Sequence, residues 1–185
     1  KPPFDLSVYL VTDPELAGAR GVVGTVEAAI AGGATLVQLR DPHAKTRALV
    51  ETARAIVAVT RPVGVAFIVN DRVDVALAAG AAGVHVGWDD MEPKDARALL
   101  GPKAIIGLSI NSAERARAAP LDLIDYVAVG AVYATSSKDN PNPPKGVEGA
   151  RALADIIRGR AKMPVGAISG IDGSNAAAVI AGGFD

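Results

Sequence analysis

Residues 66–90 read AFIVNDRVDVALAAGAAGVHVGWDD and contain two short apolar runs on either side of an alanine-rich helical pattern. The runs are Ala66–Asn70 and Gly83–Val86. This order predicts a βαβ unit, whose two strands pair in parallel and end at the same edge of a sheet. Asp71 follows the first run, and Asp90 follows the second. Because enzymes commonly bind Mg²⁺ through one or two carboxylates and substrate phosphates, the two acids predict a Mg²⁺ site for a phosphorylated substrate.

The same alternation of strand and helix patterns continues along the chain. It predicts a parallel sheet with crossover helices, because strands that are covered on both faces read as continuous apolar runs. The predicted strands are Val8–Thr12, Leu36–Arg40, Ala66–Asn70, Gly83–Val86, Ala104–Leu108, Tyr126–Val129 and Val165–Ile168. The predicted helices are Thr25–Ala31, Thr46–Val59, Val73–Ala79, Lys94–Leu100, Ser112–Ala118, Gly149–Ile157 and Ser174–Ala181.

A weak internal repeat predicts the number of strands. Two glycine-containing phrases, at residues 31–35 and 79–83, each end a helix pattern and lead into a strand. The last residues, Ala181-Gly-Gly-Phe-Asp185, begin the same phrase. We therefore expect a TIM (β/α)₈ barrel, a single domain over residues 1–185 that is C-terminally incomplete, with the eighth strand and helix missing from the chain. An open flavodoxin-like sheet is the alternative, which seven units in one sheet disfavour.

Composition and charge narrow the class of function. The chain has 185 residues, half of them hydrophobic, a net charge of −1 and no cysteine. These features predict a globular protein without disulfides or cysteine-bound zinc, and without a nucleic-acid partner because no basic stripe is present. No apolar stretch approaches the roughly 20 residues of a membrane helix, so we predict no membrane association and a cytoplasmic location. The two histidines, His43 and His85, make no recognisable zinc spacing.

Polar side chains follow nearly every predicted strand, at the end where a TIM barrel places its active site. Each one alone is also explained by capping of the next helix, and this alternative applies to Asp71 and Asp90. Gln38 and Asn70 carry amides that suit the edge of a heteroaromatic ring or, alternatively, a buried polar network.

Two cations and two loops indicate phosphate binding. Arg40 and Lys138 lie near strand ends, where they suit a phosphate or a salt bridge to a neighbouring acid. The stretch from Ala134 to Gly146 combines hydroxyls, lysine and proline, which is typical of a binding loop or of a disordered insertion. After the seventh strand, residues 169–174 bring backbone N–H groups to a predicted helix start, a common phosphate site in such barrels.

Eight short motifs run in order along almost the whole chain. They are Val8-Tyr-Leu-Val-Thr-Asp13, Val37-Gln-Leu-Arg-Asp41, Ile68-Val-Asn-Asp-Arg72, Gly83-Val-His-Val-Gly87 with Asp90, Ile106-Gly-Leu-Ser109, Asp125-Tyr-Val-Ala-Val-Gly130, Tyr133-Ala-Thr-Ser-Ser-Lys138 and Ala167-Ile-Ser-Gly-Ile171. Together they resemble the thiamine-phosphate synthase family. The resemblance implies a transferase that condenses hydroxymethylpyrimidine diphosphate with thiazole phosphate, giving thiamine phosphate and pyrophosphate by a dissociative, Mg²⁺-assisted mechanism.

The resemblance also implies a role for each candidate residue: two metal ligands and eight substrate-binding residues, three of which take part in catalysis. It implies Asp71 and Asp90 for Mg²⁺, Gln38 and Asn70 for the aminopyrimidine, Arg40, Ser109 and Lys138 for pyrophosphate and catalysis, Thr135 and Ser137 for the thiazole, and the Gly170 amide for the thiazole phosphate. A loop after the eighth strand would complete the phosphate site.

Four positions depart from the family pattern. Pro42 stands where a lysine is usual, with Lys45 as a candidate replacement in the next turn. Trp88 replaces a common glutamine, Ser137 a threonine and Ser169 a glycine.

Two other functions stay open at this point. One is a thiazole tautomerase, a paralogue with the same barrel whose catalytic histidine would stand at Ala131. The other is a non-catalytic module that binds thiamine precursors, which the proline at position 42 suggests. The sequence also leaves open whether the chain forms a homo-oligomer.

Overall fold

The chain folds into an α/β structure, for which the computed structural model describes residues 1–137 and 143–185. Two compact units divide it, unit 1 at Lys1–Ile106 and unit 2 at Gly107–Asp185. The described residues contain seven strands that form one parallel sheet, in which strand order follows chain order. The strands are β1 (Tyr9–Val11), β2 (Leu36–Leu39), β3 (Ala66–Asn70), β4 (Gly83–Val86), β5 (Ile105–Ile110), β6 (Tyr126–Val129) and β7 (Val165–Ala167).

A helix follows each of the seven described strands, as the alternating pattern predicts. The α-helices in the described part of the chain are α1 (Pro14–Ala17), α2 (Gly21–Ala31), α3 (Thr46–Thr60), α4 (Val73–Ala79), α5 (Pro93–Leu100), α6 (Ala113–Ala118), α7 (Gly146–Arg158) and α8 (Ala176–Ala181). None of these helices has the length and hydropathy needed to cross a membrane.

In unit 1, the sheet buries apolar side chains on both faces. All four residues of β2 are buried, and β2 pairs with β3 through Leu36 opposite Ala66. Helix α3 covers the sheet with residues at helical spacing, since Leu49, Ala53 and Ile56 are buried on one face. These registers bring the carboxyl ends of β1–β4 to one edge of the sheet, so residues after these strands become neighbours.

In unit 2, the same arrangement repeats with β5–β7. Val129 on β6 pairs with Ile110 on β5 and with Ala167 on β7. Helix α7 buries Ala150, Leu153, Ala154 and Ile157, which share one helical face.

Four predicted elements have the observed bounds: β3, β4, β6 and α4. The largest difference in a strand is at β5, which runs from Ile105 to Ile110 instead of ending at Leu108. The prediction that Ser109 follows the strand is therefore wrong. Ser109 pairs with Ala128 inside the sheet, because β6 continues to offer hydrogen-bonding partners up to Val129.

Helix starts differ more than strand bounds. Helix α2 begins at Gly21 and α7 at Gly146, several residues before their predicted starts, while α8 begins at Ala176, two residues late. The short helix α1 is an addition to the prediction, and the Asp13 carboxylate caps it by accepting from two backbone N–H groups. The eighth strand and the single domain over residues 1–185 stay predictions.

Candidate active site

The residues after β3 form a tight turn around a backbone conformation that is unusual for a non-glycine residue. Asp71 has a φ of 61°, in the left-handed region. The Arg72 N–H donates to the Asn70 carbonyl at 2.7 Å, and the Asp71 N–H donates to the His85 carbonyl on β4 at 2.8 Å. A positive φ costs on the order of 1–3 kcal/mol at most non-glycine residues and less at aspartate, and residues held in this way cluster at functional sites. The neighbouring backbone thus holds Asp71 in a strained position at the end of β3.

The carboxylates of Asp71 and Asp90 both lie at the carboxyl ends of neighbouring strands. The Asn70 side-chain amide donates to Asp71 Oδ2 at 2.6 Å. Asp90 Oδ2 accepts from the Gly87 N–H at 2.7 Å, so the Asp90 carboxylate lies against the residue that directly follows β4. Since Asn70 pairs with His85, and adjacent strands are about 4.8 Å apart, the structure places the two acids at one edge of unit 1.

The capping interpretation does not describe these two acids. Arg72 occupies the N-cap position of α4, and Glu92 occupies that of α5. The alternative that Asp71 and Asp90 cap these two helices is therefore wrong. The two carboxylates instead accept hydrogen bonds from Asn70 and Gly87, at the ends of β3 and β4.

The Asp90 carboxylate lies close to the Gly87 backbone, so that a side chain at position 87 would displace it. A Cβ added to Gly87 would lie 2.8 Å from Asp90 Oδ2, closer than real Cβ contacts. Trp88, which replaces the usual glutamine, follows directly and is half-buried. The sequence after β4 thus combines a close backbone approach with a large aromatic side chain next to the second acid.

The donor set suits Mg²⁺. Asp71 and Asp90 provide carboxylate oxygens from two adjacent strands, and Mg²⁺ is typically bound by one or two carboxylates together with substrate phosphates. Within residues 1–137 and 143–185, no group of three or more histidine, cysteine, aspartate or glutamate side chains could hold a metal ion by itself. Two carboxylates match the number of protein ligands that Mg²⁺ commonly takes.

Gln38 and Arg40 are fixed by residues of β1 and of the segment after it. The Gln38 side chain is 3% exposed, and its Nε2 donates to the Tyr9 hydroxyl. The buried Thr12 hydroxyl accepts from the Arg40 N–H at 3.0 Å and donates to the Arg40 carbonyl at 3.3 Å. Gln38 and Arg40 thus lie at the carboxyl end of β2, where hydrogen bonds hold the Gln38 side chain and the Arg40 backbone in place.

Pro42 lies in a turn that the side chain of the preceding residue, Asp41, stabilises. Asp41 Oδ1 accepts from the backbone N–H groups of His43 at 3.1 Å and of Ala44 at 3.0 Å. Lys45, the candidate replacement for the usual lysine, is exposed at the N-cap position of α3. The Asp41 carboxylate thus orders the loop, while Lys45 faces solvent.

In unit 2, the loops after β6 and β7 lie side by side. The Tyr133 N–H donates to the Ser169 carbonyl at 3.0 Å. Gly170 has a φ of 64°, and an added Cβ would lie 2.3 Å from the Ala134 carbonyl oxygen. The structure therefore brings the Gly170 backbone next to the segment that leads to Thr135, whose hydroxyl accepts from the Ser137 N–H at 3.2 Å.

Ser109 and Lys138 complete the candidate set. Ser109 is half-buried on β5. Lys138 lies outside the described residues, as do residues 139–142 of the predicted binding loop. The proposed role of Lys138 thus stays a prediction.

Sequence reasoning missed three residues that support the site in unit 1. Tyr9 and Thr12 were recognised as part of a motif but were given no role. The third, Arg72, makes a bidentate ion pair with Asp74, and its hydrogen bond is the main reason that the Asp74 pKa lies below its usual value. The only sequence signal for this pair is the Arg-x-Asp spacing directly after β3, which is too common to be specific.

A sequence profile described as thiamine monophosphate synthase matches residues 8–185. The chain belongs to this family. A thiamine-phosphate synthase of Azorhizobium caulinodans is 51% identical over 181 residues, which cover 98% of this chain and 84% of that protein. A thiamine-phosphate synthase of Moorella thermoacetica is 46% identical over 184 residues, covering 100% of this chain and 85% of the relative.

A solved structure agrees with this membership. Thiamine phosphate pyrophosphorylase from Pyrococcus furiosus has a TM-score of 0.83 and 37% sequence identity, over 97% of this chain and 82% of that protein. The resemblance to thiamine-phosphate synthases and the transferase class are thus confirmed.

Proposed function

We propose that this chain joins hydroxymethylpyrimidine diphosphate to thiazole phosphate, releasing pyrophosphate and forming thiamine phosphate. The observation that carries the proposal is the pair of carboxylates, Asp71 and Asp90, anchored at the ends of the adjacent strands β3 and β4. A diphosphate substrate needs such a pair, because its charge must be balanced by a divalent cation. Family membership supports the same reaction.

In this proposal, residues of unit 1 bind the pyrimidine diphosphate. Gln38 and Asn70 present side-chain amides, which can donate to and accept from the aminopyrimidine edge. Asp71 and Asp90 would hold Mg²⁺, whose chemistry there is to balance the negative charge of the diphosphate. Arg40 adds a guanidinium suited to phosphate oxygens.

The chemical step is proposed to be dissociative. The bond between the pyrimidine methylene carbon and the diphosphate oxygen breaks first, and pyrophosphate keeps the electron pair. The thiazole nitrogen then donates its lone pair to the resulting carbocation, forming the new C–N bond. Arg40, Ser109 and Lys138 would stabilise the charge that develops on the leaving pyrophosphate, which is the largest contribution such a site can make.

Residues of unit 2 are proposed to bind the thiazole phosphate. The Gly170 N–H would donate to the phosphate, and the absence of a Cβ lets this backbone lie close to its neighbours. Thr135 and Ser137 would contact the thiazole with hydroxyl groups. The hydroxyl that threonine usually supplies is kept by Ser137.

The two alternatives receive less support. Each curated relative compared above is named a synthase, and Ala131 cannot act as the base that a tautomerase needs. A non-catalytic binding module has no need of the strained Asp71. A cytoplasmic location and the oligomeric state stay predictions, the former favoured by the absence of cysteine.

Pyrophosphate release tests the proposal directly. The full-length protein, supplied with both substrates and Mg²⁺, is expected to release one pyrophosphate per thiamine phosphate formed, and chelation of Mg²⁺ should stop the reaction. Asp71→Asn and Asp90→Asn should each lower turnover roughly a hundredfold or more. Asp95→Asn, which changes an exposed acid on α5, is the matched control and should retain full turnover. Binding of both substrates without pyrophosphate release would contradict the proposal.

A further inference from the structure

The turn that holds Asp71 ends at a residue whose side chain reaches two helices. Arg72 Nε donates to Asp74 Oδ1 at 2.9 Å, and Arg72 Nη2 donates to Asp74 Oδ2 at 2.6 Å. The same Nη2 donates to the Thr46 hydroxyl, on the first residue of α3, at 2.9 Å. We call these three residues, Arg72, Asp74 and Thr46, the Arg72 clasp. It connects the end of the turn to the starts of both α3 and α4.

The conformation of Asp71 explains why such a clasp is needed. A residue with a φ of 61° returns to a more favourable backbone conformation unless its neighbours prevent it. On the strand side, the hydrogen bond from the Asp71 N–H to His85 holds the turn. On the helix side, the Arg72 backbone follows directly, and a bidentate guanidinium contact fixes direction as well as distance.

We propose that the Arg72 clasp positions the Asp71 carboxylate for metal binding. This inference rests on the proposed role of Asp71 as a metal ligand. The three residues act through Asp71, so they are positioning residues. Groups that orient a metal ligand typically change metal affinity about 10–100-fold when they are removed.

A purely structural role makes a different prediction, for which the chain offers a matched control. Arg54 on α3 also bridges to α4, through Nη2 to the Ala78 carbonyl at 3.1 Å and Nε at 3.4 Å. That bridge lies at the opposite end of α4 from Asp71. If the clasp only links two helices, variants of Arg54 and Arg72 should behave alike.

The experiment measures metal binding separately from turnover. Mn²⁺ binding in the presence of pyrophosphate is followed by electron paramagnetic resonance of the free ion, and Mg²⁺-dependent kinetics and thermal unfolding are recorded for each variant. The variants of the full-length protein are Arg72→Lys, Thr46→Val, Thr46→Ser and Arg54→Lys.

Arg72→Lys is expected to weaken Mn²⁺ binding about tenfold and to raise the Mg²⁺ concentration for half-maximal rate by a similar factor. Thr46→Val should have a smaller effect of the same kind, and Thr46→Ser should restore wild-type binding because it keeps the hydroxyl. Arg54→Lys should change the midpoint of thermal unfolding but leave Mn²⁺ binding within about twofold.

Two outcomes overturn the inference in distinguishable ways. If Asp71→Asn abolishes Mn²⁺ binding but Arg72→Lys and Thr46→Val leave it within twofold, the clasp does not position the ligand, while the metal role of Asp71 stands. If Asp71→Asn itself leaves Mn²⁺ binding unchanged, the metal assignment fails and the clasp has no ligand to position.

Discussion

Two turns in this protein place a non-glycine residue at positive φ within two residues of the end of a strand, but different contacts support them. Asp71 after β3 has a φ of 61°, and Ser169 after β7 has a φ of 88°. Besides its backbone hydrogen bonds to Asn70 and His85, the first turn is supported by exposed polar side chains, since Arg72 is 38% and Asp74 59% exposed. The second is supported by backbone pairing to Tyr133 and by close packing at Gly170.

The comparison indicates that the two turns should respond to different changes. A turn supported by exposed charges is sensitive to salt and to the loss of single polar groups. A turn held by packing is insensitive to salt, while one added methyl group forces backbone to move. Substitutions that change either volume or charge can separate the two cases.

The largest effect is expected for Gly170→Ala. The new Cβ would lie 2.3 Å from the Ala134 carbonyl oxygen and 2.8 Å from Tyr133 Cβ, on a backbone with φ of 64°. We expect the free energy of unfolding to fall by about 3 kcal/mol and the KM for thiazole phosphate to rise. Urea unfolding and steady-state kinetics provide the measurement.

Gly173→Ala is the control for this substitution, because a Cβ there meets nothing within 4 Å. It should leave both quantities close to those of the wild-type protein. Equal stability of the two variants would mean that the loop adapts to the added volume and that packing does not hold the second turn.

A smaller effect of opposite sign is expected for Ser169→Gly. Glycine removes the steric conflict of a side chain at positive φ, so the free energy of unfolding should rise by about 1 kcal/mol with turnover retained.

Asp71→Gly should change the free energy of unfolding by less than about 0.5 kcal/mol, because aspartate tolerates this conformation better than serine and glycine gains entropy when unfolded. Turnover should nevertheless be lost in Asp71→Gly. A clear gain in stability there, with turnover intact, would contradict both the support of the first turn and the role of its acid.

The smallest effect is the response of two carboxyl groups to salt. The Arg72 guanidinium lowers the pKa of Asp74, and the Ser174 hydroxyl and backbone N–H lower the pKa of Asp172, both below the ordinary 3.8. Each group therefore stabilises the folded state above pH 3.8, and this contribution disappears as pH falls through the lowered pKa.

Raising the salt concentration to roughly 0.5 M should move the pKa of Asp74 back towards its ordinary value and leave that of Asp172 nearly unchanged. Carboxyl carbon NMR titration measures both values in one sample. If salt shifts the pKa values of Asp74 and Asp172 by the same amount, charge pairing does not make the first turn more sensitive to salt than the second.

The sequence predicted the strands and helices best where the local pattern agrees with burial. The apolar runs of β3, β4 and α4 stop before Asp71, Gly87 and Gly80, respectively. The polarity of the aspartate and the backbone freedom of the glycines end these elements, and the observed bounds match the predicted ones. At β5, Ser109 and Ile110 continue the strand because β6 offers partners, and no local signal indicates this. The start of helix α7 at Gly146 also has no local signal, because glycine is a poor helix former.

The candidate site was predictable in its residue types but not in its supporting contacts. Both acids follow apolar runs, so parallel pairing alone places them at one edge of the sheet. The left-handed conformation of Asp71, the bond from Gln38 to Tyr9 and the contact of Arg72 with Thr46 depend on residues far apart in sequence. Such contacts require the three-dimensional structure, because a single sequence contains no distances between them.

Trp88 gives the Asp71 and Asp90 pair a built-in optical probe. It is the only tryptophan of the chain, it is half-buried, and it is two residues from Asp90 and adjacent to the backbone N–H that anchors it. Indole fluorescence depends on local polarity and on nearby quenching groups, so emission from the unlabelled protein reports on this one corner of unit 1. Titrating pyrophosphate with Mg²⁺ while recording that emission would follow occupancy of the site in real time, without a coupled assay or an attached dye.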